Sequence, residues 1–276
     1  MEKNLFPSNG GTEHKEHKKL DFLQGKYADR IRKLAGECIG RFGLIEENDR
    51  ILAGLSGGKD SFILLHVLHF FQKVAPIRFE VIAGTFDPGY PEFNLQAVSE
   101  YCQAQKWHYH TVQLPMEQLL AEKNLEHSPC GLCSRLRRGK LYGLAAELKC
   151  NKLALGQHLD DLIASFFMSL CRGQGIRTMA PLAKPQNPAH PVIIRPLALV
   201  PEDMLKDTAS NNSFPEAGNC RYEEVLESGD RQYFRALADT LSEKVPDFRS
   251  NFIRSLGHIE PEHLMITPAL LKKFSE

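Results

Sequence analysis

Two hydrophobic rhythms run through the chain and set its architecture. Residues 50–55 and 79–86 (FEVIAGTF) are short, nearly unbroken apolar runs, the pattern of strands buried on both faces. Between residues 20 and 42, by contrast, Leu23, Tyr27, Ile31, Leu34, Cys38 and Phe42 recur three or four positions apart, which predicts an amphipathic helix. Residues 108–114, 152–156 (KLALG) and 192–199 (VIIRPLAL) read as three further strands. Helical spacing fills the intervals: after residue 60, over 92–106, through Leu136, Leu141, Leu144 and Leu148, and over 162–171. This alternation predicts an α/β fold, a twisted parallel sheet with right-handed crossovers and helices on both faces. A Gly/Asn/Pro-rich stretch over 211–228 reads as loop, and helices are expected again from residue 230 and over 248–257. The implied domain plan is a disordered polar arm over 1–19, an N-terminal helix over 20–42, a catalytic α/β domain over 43–200 and a C-terminal extension over 201–276.

Composition narrows the class without choosing a function. With 276 residues and 42% hydrophobic content, the chain can bury a sizeable core. No run approaches the ~18–20 apolar residues of a bilayer span, and the polar start is unlike a secretory signal, so a cytoplasmic protein without membrane attachment is expected. The 34 Lys and Arg balance 34 Asp and Glu, so nucleic-acid binding has to come from local clustering of charge. Seven cysteines, an odd count, argue against a disulfide framework and for core thiols together with a metal or redox site.

The chemistry gathers at three places. Leu55–Ser61 (LSGGKDS) joins the first strand to a helix through a glycine turn. Gly57 and Gly58 let backbone N–H groups close on an anion, the helix opening near Asp60 adds the positive end of its dipole, and Lys59, Ser56 and Ser61 supply further donors. The spacing differs from GxxxxGK[ST], so the common nucleotide-hydrolase loop is not matched. Asp87 falls at a strand's C-terminal end, where it suits a metal or ribose group as well as a turn before Pro88–Gly89. The second place is SPCGLCSRLRRGK over 128–140. Cys130 and Cys133 have C-x-x-C spacing, used by zinc, iron–sulfur and dithiol redox sites alike. Arg135, Arg137, Arg138 and Lys140 follow, either gripping phosphates or forming the wet side of a helix. The third place is Asp160–Asp161, two carboxylates opening a helix, suited to an N-cap and to Mg²⁺. Arg195, inside the predicted fifth strand, suggests an inward ion pair or an anion contact. Cys38, Cys102, Cys150 and Cys171 suit core or incidental thiols, whereas Cys220 stands in the polar loop.

SGGKDS at 56–61, PCGLCSRLRRGKLY at 129–142 and GQHLDD at 156–161 together resemble the tRNA 2-thiocytidine synthetase family of PP-loop ATP pyrophosphatases, with likeness from about Gly43 to about Met265. The resemblance implies adenylation of an anticodon-loop cytidine at its C2 oxygen, followed by replacement of AMP with sulfur. It implies ATP and Mg²⁺ as cofactors, and a 4Fe-4S cluster held by three cysteines. On it, Ser56, Gly57, Gly58, Lys59, Asp60 and Ser61 form the ATP site with Asp87 and Asp161, and Lys59, Asp60 and Asp161 are catalytic. Cys130, Cys133 and Cys220 hold the cluster, and Arg135, Arg137, Arg138 and Lys140 face RNA. The implied partners are tRNA and a sulfur donor of the cysteine desulfurase type, with a homodimer left open. Two departures stand out. Gln157 and Leu159 replace family residues of the pattern GHHRDD, and Cys220 is the sole late cysteine where the family has a second C-x-x-C.

Overall fold

A computed structural model describes residues 23–122, 129–218 and 229–268. The polar arm over 1–19 and Cys220 lie outside the described residues, as does the side chain of Cys130. The elements run α1 (Ala28–Arg41), β1 (Arg50–Gly54), α2 (Lys59–Val74), β2 (Glu80–Asp87), α3 (Leu95–Ala104), β3 (Tyr109–Gln113), α4 (Met116–Glu122) and α5 (Pro129–Glu147). They continue as β4 (Lys152–Ala154), α6 (Leu159–Cys171), β5 (Leu182–Ala183), β6 (Val192–Ile194), α7 (Glu202–Ser210), α8 (Asp230–Lys244) and α9 (Phe248–Leu256). Two compact units result, Met1–Arg235 and Ala236–Glu276. In the second, Arg249 pairs with Asp239 at 2.6 Å and donates to the Ser242 hydroxyl at 2.7 Å.

The first unit is built on a six-stranded sheet in the order β3-β2-β1-β4-β6-β5. All neighbours are parallel except β5 against β6. The apolar runs explain the centre: β1 and β2 are buried almost throughout because helices cover both faces. Leu52, Ile82 and Leu153 lie in register on one face and pack against Leu141, Leu144 and Ala145 of α5. α2 packs on β1 and β2, and α1 and α7 pack in turn on α2. Among the described residues no helix is long and apolar enough to cross a membrane.

The structure corrects several expectations. The fifth predicted strand stops at Ile194, because Pro196 has no N–H to donate and restrains the residue before it, so Arg195 starts a turn instead of sitting in a strand. β5, the antiparallel edge, is only two residues long and carries no periodic signal. α4 and α7 are additional. The first helix buries Ile31, Ala35, Cys38 and Ile39, and its neighbours Leu34 and Phe42 stay half-buried. Cys171, at the end of α6, is exposed, which leaves the incidental of its two readings.

A charged residue inside a buried strand secures the N-terminal ends of β1 and β4. The Lys152 ammonium lies 2.7 Å from Asp49 and 3.2 Å from Glu46, and donates to the Leu44 carbonyl at 2.9 Å. The Lys152 and Asp49 side chains are each 4% exposed. Removing one partner strands the other charge in the core, so Lys152→Ala is expected to destabilise the fold by about 3–5 kcal/mol. Urea unfolding checks this, and a loss under about 1 kcal/mol would show the pair to be solvated.

Candidate functional site

The glycine turn is held by its own hydroxyls. From Gly54 the chain turns into α2, and the Ser61 hydroxyl donates to the Gly58 carbonyl at 2.7 Å and accepts from the Ser56 N–H at 3.2 Å. The Gly58 N–H points to the Ser56 hydroxyl at 3.4 Å. Gly57 adopts φ +85°, and a Cβ there would stand 2.3 Å from the Ala217 Cβ and 3.5 Å from the Phe93 ring. The turn therefore needs glycine for its conformation and again for the chain that lies against it. Lys59 opens α2, its ammonium 3.2 Å from Asp60 and 3.8 Å from Glu202.

The chain leaving β4 meets this turn from the other side. A Cβ on Gly156 would come within 3.2 Å of the Asp60 backbone, so the two loops touch main chain to main chain. The two carboxylates that follow divide their work. Asp161 accepts the His158 N–H at 3.2 Å and pairs with Arg235 at 2.5 Å. Asp160 accepts the Glu202 N–H at 2.8 Å and so anchors the start of α7. Burial works to raise the Asp161 carboxyl, but His158 and the Arg235 guanidinium outweigh it and hold the group below the usual carboxylate range. The buried His158 ring lies between them, 3.8 Å from Asp160 and 3.5 Å from Asp161.

Arg195 turns inward, but its hydrogen-bond partners on the protein are neutral oxygens rather than a carboxylate. Its guanidinium donates to the Gln157 side-chain oxygen at 2.8 Å and to the Ala180 carbonyl at 2.6 Å. Burial, then the nearby Arg138, lowers its pKa to about 10. At the end of β2, one Asp87 oxygen accepts the Gly89 N–H at 2.8 Å, so the turn role is realised and one oxygen is committed to it.

The cysteine helix packs beside the same end of the sheet. Cys133, a half-buried free thiol, packs with Leu132, Leu136 and Phe93 on a cluster of Phe86, Tyr90, Met116 and Leu120. Arg137 approaches its sulfur at 3.8 Å and lies over the Phe86 ring. Arg135, Arg137 and Arg138 are exposed and Lys140 is half-buried, all in the first two-thirds of α5. Cys130 belongs to the first turn of α5 by its backbone. Gly218 is the last described residue before Cys220, and the Ala217 carbonyl accepts the Asn94 N–H at 2.9 Å. Phe93 packs on the same apolar cluster as Cys133, and its ring lies 3.5 Å from where a Gly57 Cβ would stand. Burial pushes the Cys38 and Cys102 thiols up to about 12 and raises Cys150, which marks them as core thiols.

Glu202 and Arg235 were not singled out by any motif. Glu202 could have been found from Pro201 followed by two acids, a helix-start signal, whereas Arg235 carries no local signature.

A parallel sheet whose glycine turn offers backbone N–H groups and a lysine, beside a paired aspartate, defines a nucleotide-binding protein of the PP-loop class, and residues 24–224 match the PP-loop domain family. The tRNA-cytidine(32) 2-sulfurtransferase of Syntrophotalea carbinolica is 38% identical over 256 residues, 92% of this chain and 98% of that protein. The enzyme of the same name from Geotalea daltonii is 37% identical over 239 residues, 86% of this chain and 94% of that protein. The chain belongs to this tRNA-cytidine(32) 2-sulfurtransferase family of PP-loop enzymes. Its fold is also that of the U34-tRNA thiolase NcsA from Methanococcus maripaludis, solved with its 4Fe-4S cluster, at TM-score 0.64 and 23% identity over 85% of this chain and 80% of that one.

Gly57→Ala is expected to cost about 1–3 kcal/mol in urea unfolding, from the left-handed φ and the encounter with Ala217. Gly58→Ala, where the added methyl meets only the Ser56 hydroxyl at 3.6 Å, should cost a fraction of that. Equal costs would remove the packing argument for Gly57.

Proposed function

We propose that this chain thiolates a tRNA cytidine at C2, at position 32 as named for its relatives, using ATP and a 4Fe-4S cluster. The observation that carries the reading is the position of Phe93, which packs on the same apolar cluster as Cys133 and whose ring lies 3.5 Å from where a Gly57 Cβ would stand, so that the Lys59-bearing turn and the Cys133-bearing helix are neighbours. The residues fit the groups this requires. The turn over 56–61 offers backbone N–H groups and the Lys59 ammonium to phosphates. Cys133 is a half-buried free thiol, and Cys130, Cys133 and Cys220 are the three ligands of this reading.

In this reading the cytidine C2 oxygen attacks the α-phosphorus of ATP, the bond to the bridging oxygen breaks, and pyrophosphate departs. Lys59 and the turn N–H groups stabilise the charge that develops on it. AMP then makes the former carbonyl oxygen a good leaving group. A sulfur at the sulfide level attacks C2 and AMP departs with the oxygen, so no net oxidation occurs at the base. The cluster, when bound, supplies an open coordination position for that sulfur. Mg²⁺ arriving with ATP would be held by Asp161 and Asp87 alongside phosphate oxygens, since among the described residues no three metal-binding side chains converge. Exposed Arg135, Arg137 and Arg138 with Lys140 form the RNA-facing surface, and a cysteine desulfurase-type protein supplies the sulfur as a persulfide, which a thiol reductant releases at the sulfide level. Such an enzyme works in the cytoplasm.

The test incubates the anaerobically reconstituted protein with unmodified tRNA, ATP, Mg²⁺ and sulfide. It should yield AMP, pyrophosphate and one oxygen-for-sulfur exchange at a cytidine by mass spectrometry. Lys59→Ala should abolish all three products while the protein melts as before. Retention of tRNA should weaken with salt and with Arg137→Ala/Arg138→Ala. AMP formed without thiolated cytidine would redirect the assignment to another base.

Iron and sulfide analysis tests the cluster separately. Four iron per chain are expected, and Cys133→Ala and Cys220→Ala should each lose them. Stoichiometric zinc, or a full cluster in Cys220→Ala, would overturn that ligand set.

A further inference from the structure

Glu202 and Arg235 converge on the residues to which the chemistry is assigned. Arg235 comes from the first turns of α8, 74 residues beyond its partner, and its Nη2 lies 2.5 Å from Asp161 Oδ1. The other Asp161 oxygen accepts the His158 N–H, so each oxygen of this buried carboxylate has a donor from the protein that orients it. Arg235 Nη1 points toward Glu202 at 4.0 Å. The Glu202 carboxylate is in turn a hub, 3.8 Å from Lys59 and 3.3 Å from Lys206. Its backbone N–H is fixed by Asp160. A terminal carboxylate rotates broadly about its last torsion unless hydrogen bonds pin it, and a lysine ammonium on four methylenes wanders further still. The arrangement therefore constrains the two mobile groups that stand beside the glycine turn.

We propose that Arg235 is a positioning residue of the adenylation site: it holds the Asp161 carboxylate in one orientation and, with Glu202, sets where the Lys59 ammonium stands. The inference rests on the ATP-dependent reading above and deepens it. It differs from two simpler roles. A mere tie between α6 and α8 would act on stability alone, and a direct phosphate contact would act on ATP affinity alone. Positioning instead acts on turnover, because misplacing a reacting group by about 1 Å costs on the order of a hundredfold while ground-state binding survives.

The experiment measures tRNA-dependent AMP formation, the Kd of a non-hydrolysable ATP analogue by calorimetry, and Tm, for the unaltered protein and for Arg235→Ala, Arg235→Lys and Glu202→Gln. Arg235→Ala is expected to lower kcat by about thirtyfold or more with analogue Kd within about threefold. Arg235→Lys, which keeps the charge, should recover about tenfold of that loss. Glu202→Gln should show a smaller fall of the same kind. An unchanged kcat in Arg235→Ala overturns the inference, as does a Kd that rises in step with the loss, which would make Arg235 a phosphate ligand. A loss that tracks a lowered Tm without recovery in Arg235→Lys overturns it in favour of a structural tie. If the unaltered protein binds no analogue and makes no AMP, the ATP-dependent reading fails and takes the inference with it, a result distinct from those three.

Discussion

The meeting of two loops at the carboxyl ends of β1 and β4 is the constraint on which the rest of this molecule depends. The sheet runs outward from that pair in both directions, β2 and β3 on one side and β6 and β5 on the other, so the chain leaves β1 and β4 toward opposite faces. A crevice opens where the direction reverses. Gly156 lets the second loop rest against the first turn of α2, and the left-handed Gly57 lets Ala217 rest on the first loop. A side chain at Gly57 would collide with Ala217, and one at Gly156 would press on the Asp60 backbone. The remaining parts, from the Asp161 carboxylate to the Cys133 thiol, are placed by reference to these two contacts.

Charge is disposed around the crevice with the same economy. Lys59, Lys206 and Arg235 interleave with Asp60, Asp161 and Glu202, so each of these three cations faces a carboxylate. Arg235 gains from this: burial would lower its pKa, and Asp161, Glu202 and Asp60 together raise it. Arg195, a short distance along the chain from the same loops, is satisfied instead by an amide oxygen and a carbonyl. Its partner Gln157 stands at one of the two positions where the chain departs from the family pattern. The other, Leu159, is buried apolar surface at the start of α6, a helix without Lys or Arg, and the guanidinium near Asp161 comes from α8.

What could be read in the sequence was what short-range physics determines. The apolar runs of β1 and β2, the glycine turn and the helix that carries Cys133 are each specified within about ten residues, by period, by glycine and by leucine spacing. Asp160 and Asp161 were visible as a pair, but which would cap and which would face Arg235 depends on α7 and α8. The predicted strand through Arg195 failed because apolar content was weighed above the proline after it. The two residues of β5 hold their place only by pairing with β6, which no local pattern announces. Arg235 was invisible for the same reason: its place is defined wholly by a partner far back in the chain.

That separation matters while the protein is being made. A chain still attached to the ribosome can form the β1–α2–β2 unit early, since strand, turn and helix are neighbours. The crevice is finished later, when the segment bearing Ala217 has been threaded against Gly57 and α8 has emerged to reach Asp161. Closing such long loops is slow compared with forming helices, and the last contacts carry the entropy of everything between them. Until then the nascent protein holds the glycine turn without the groups that orient it. A translation product cut short before α8 would keep most of the sheet and lack the Asp161–Arg235 pair.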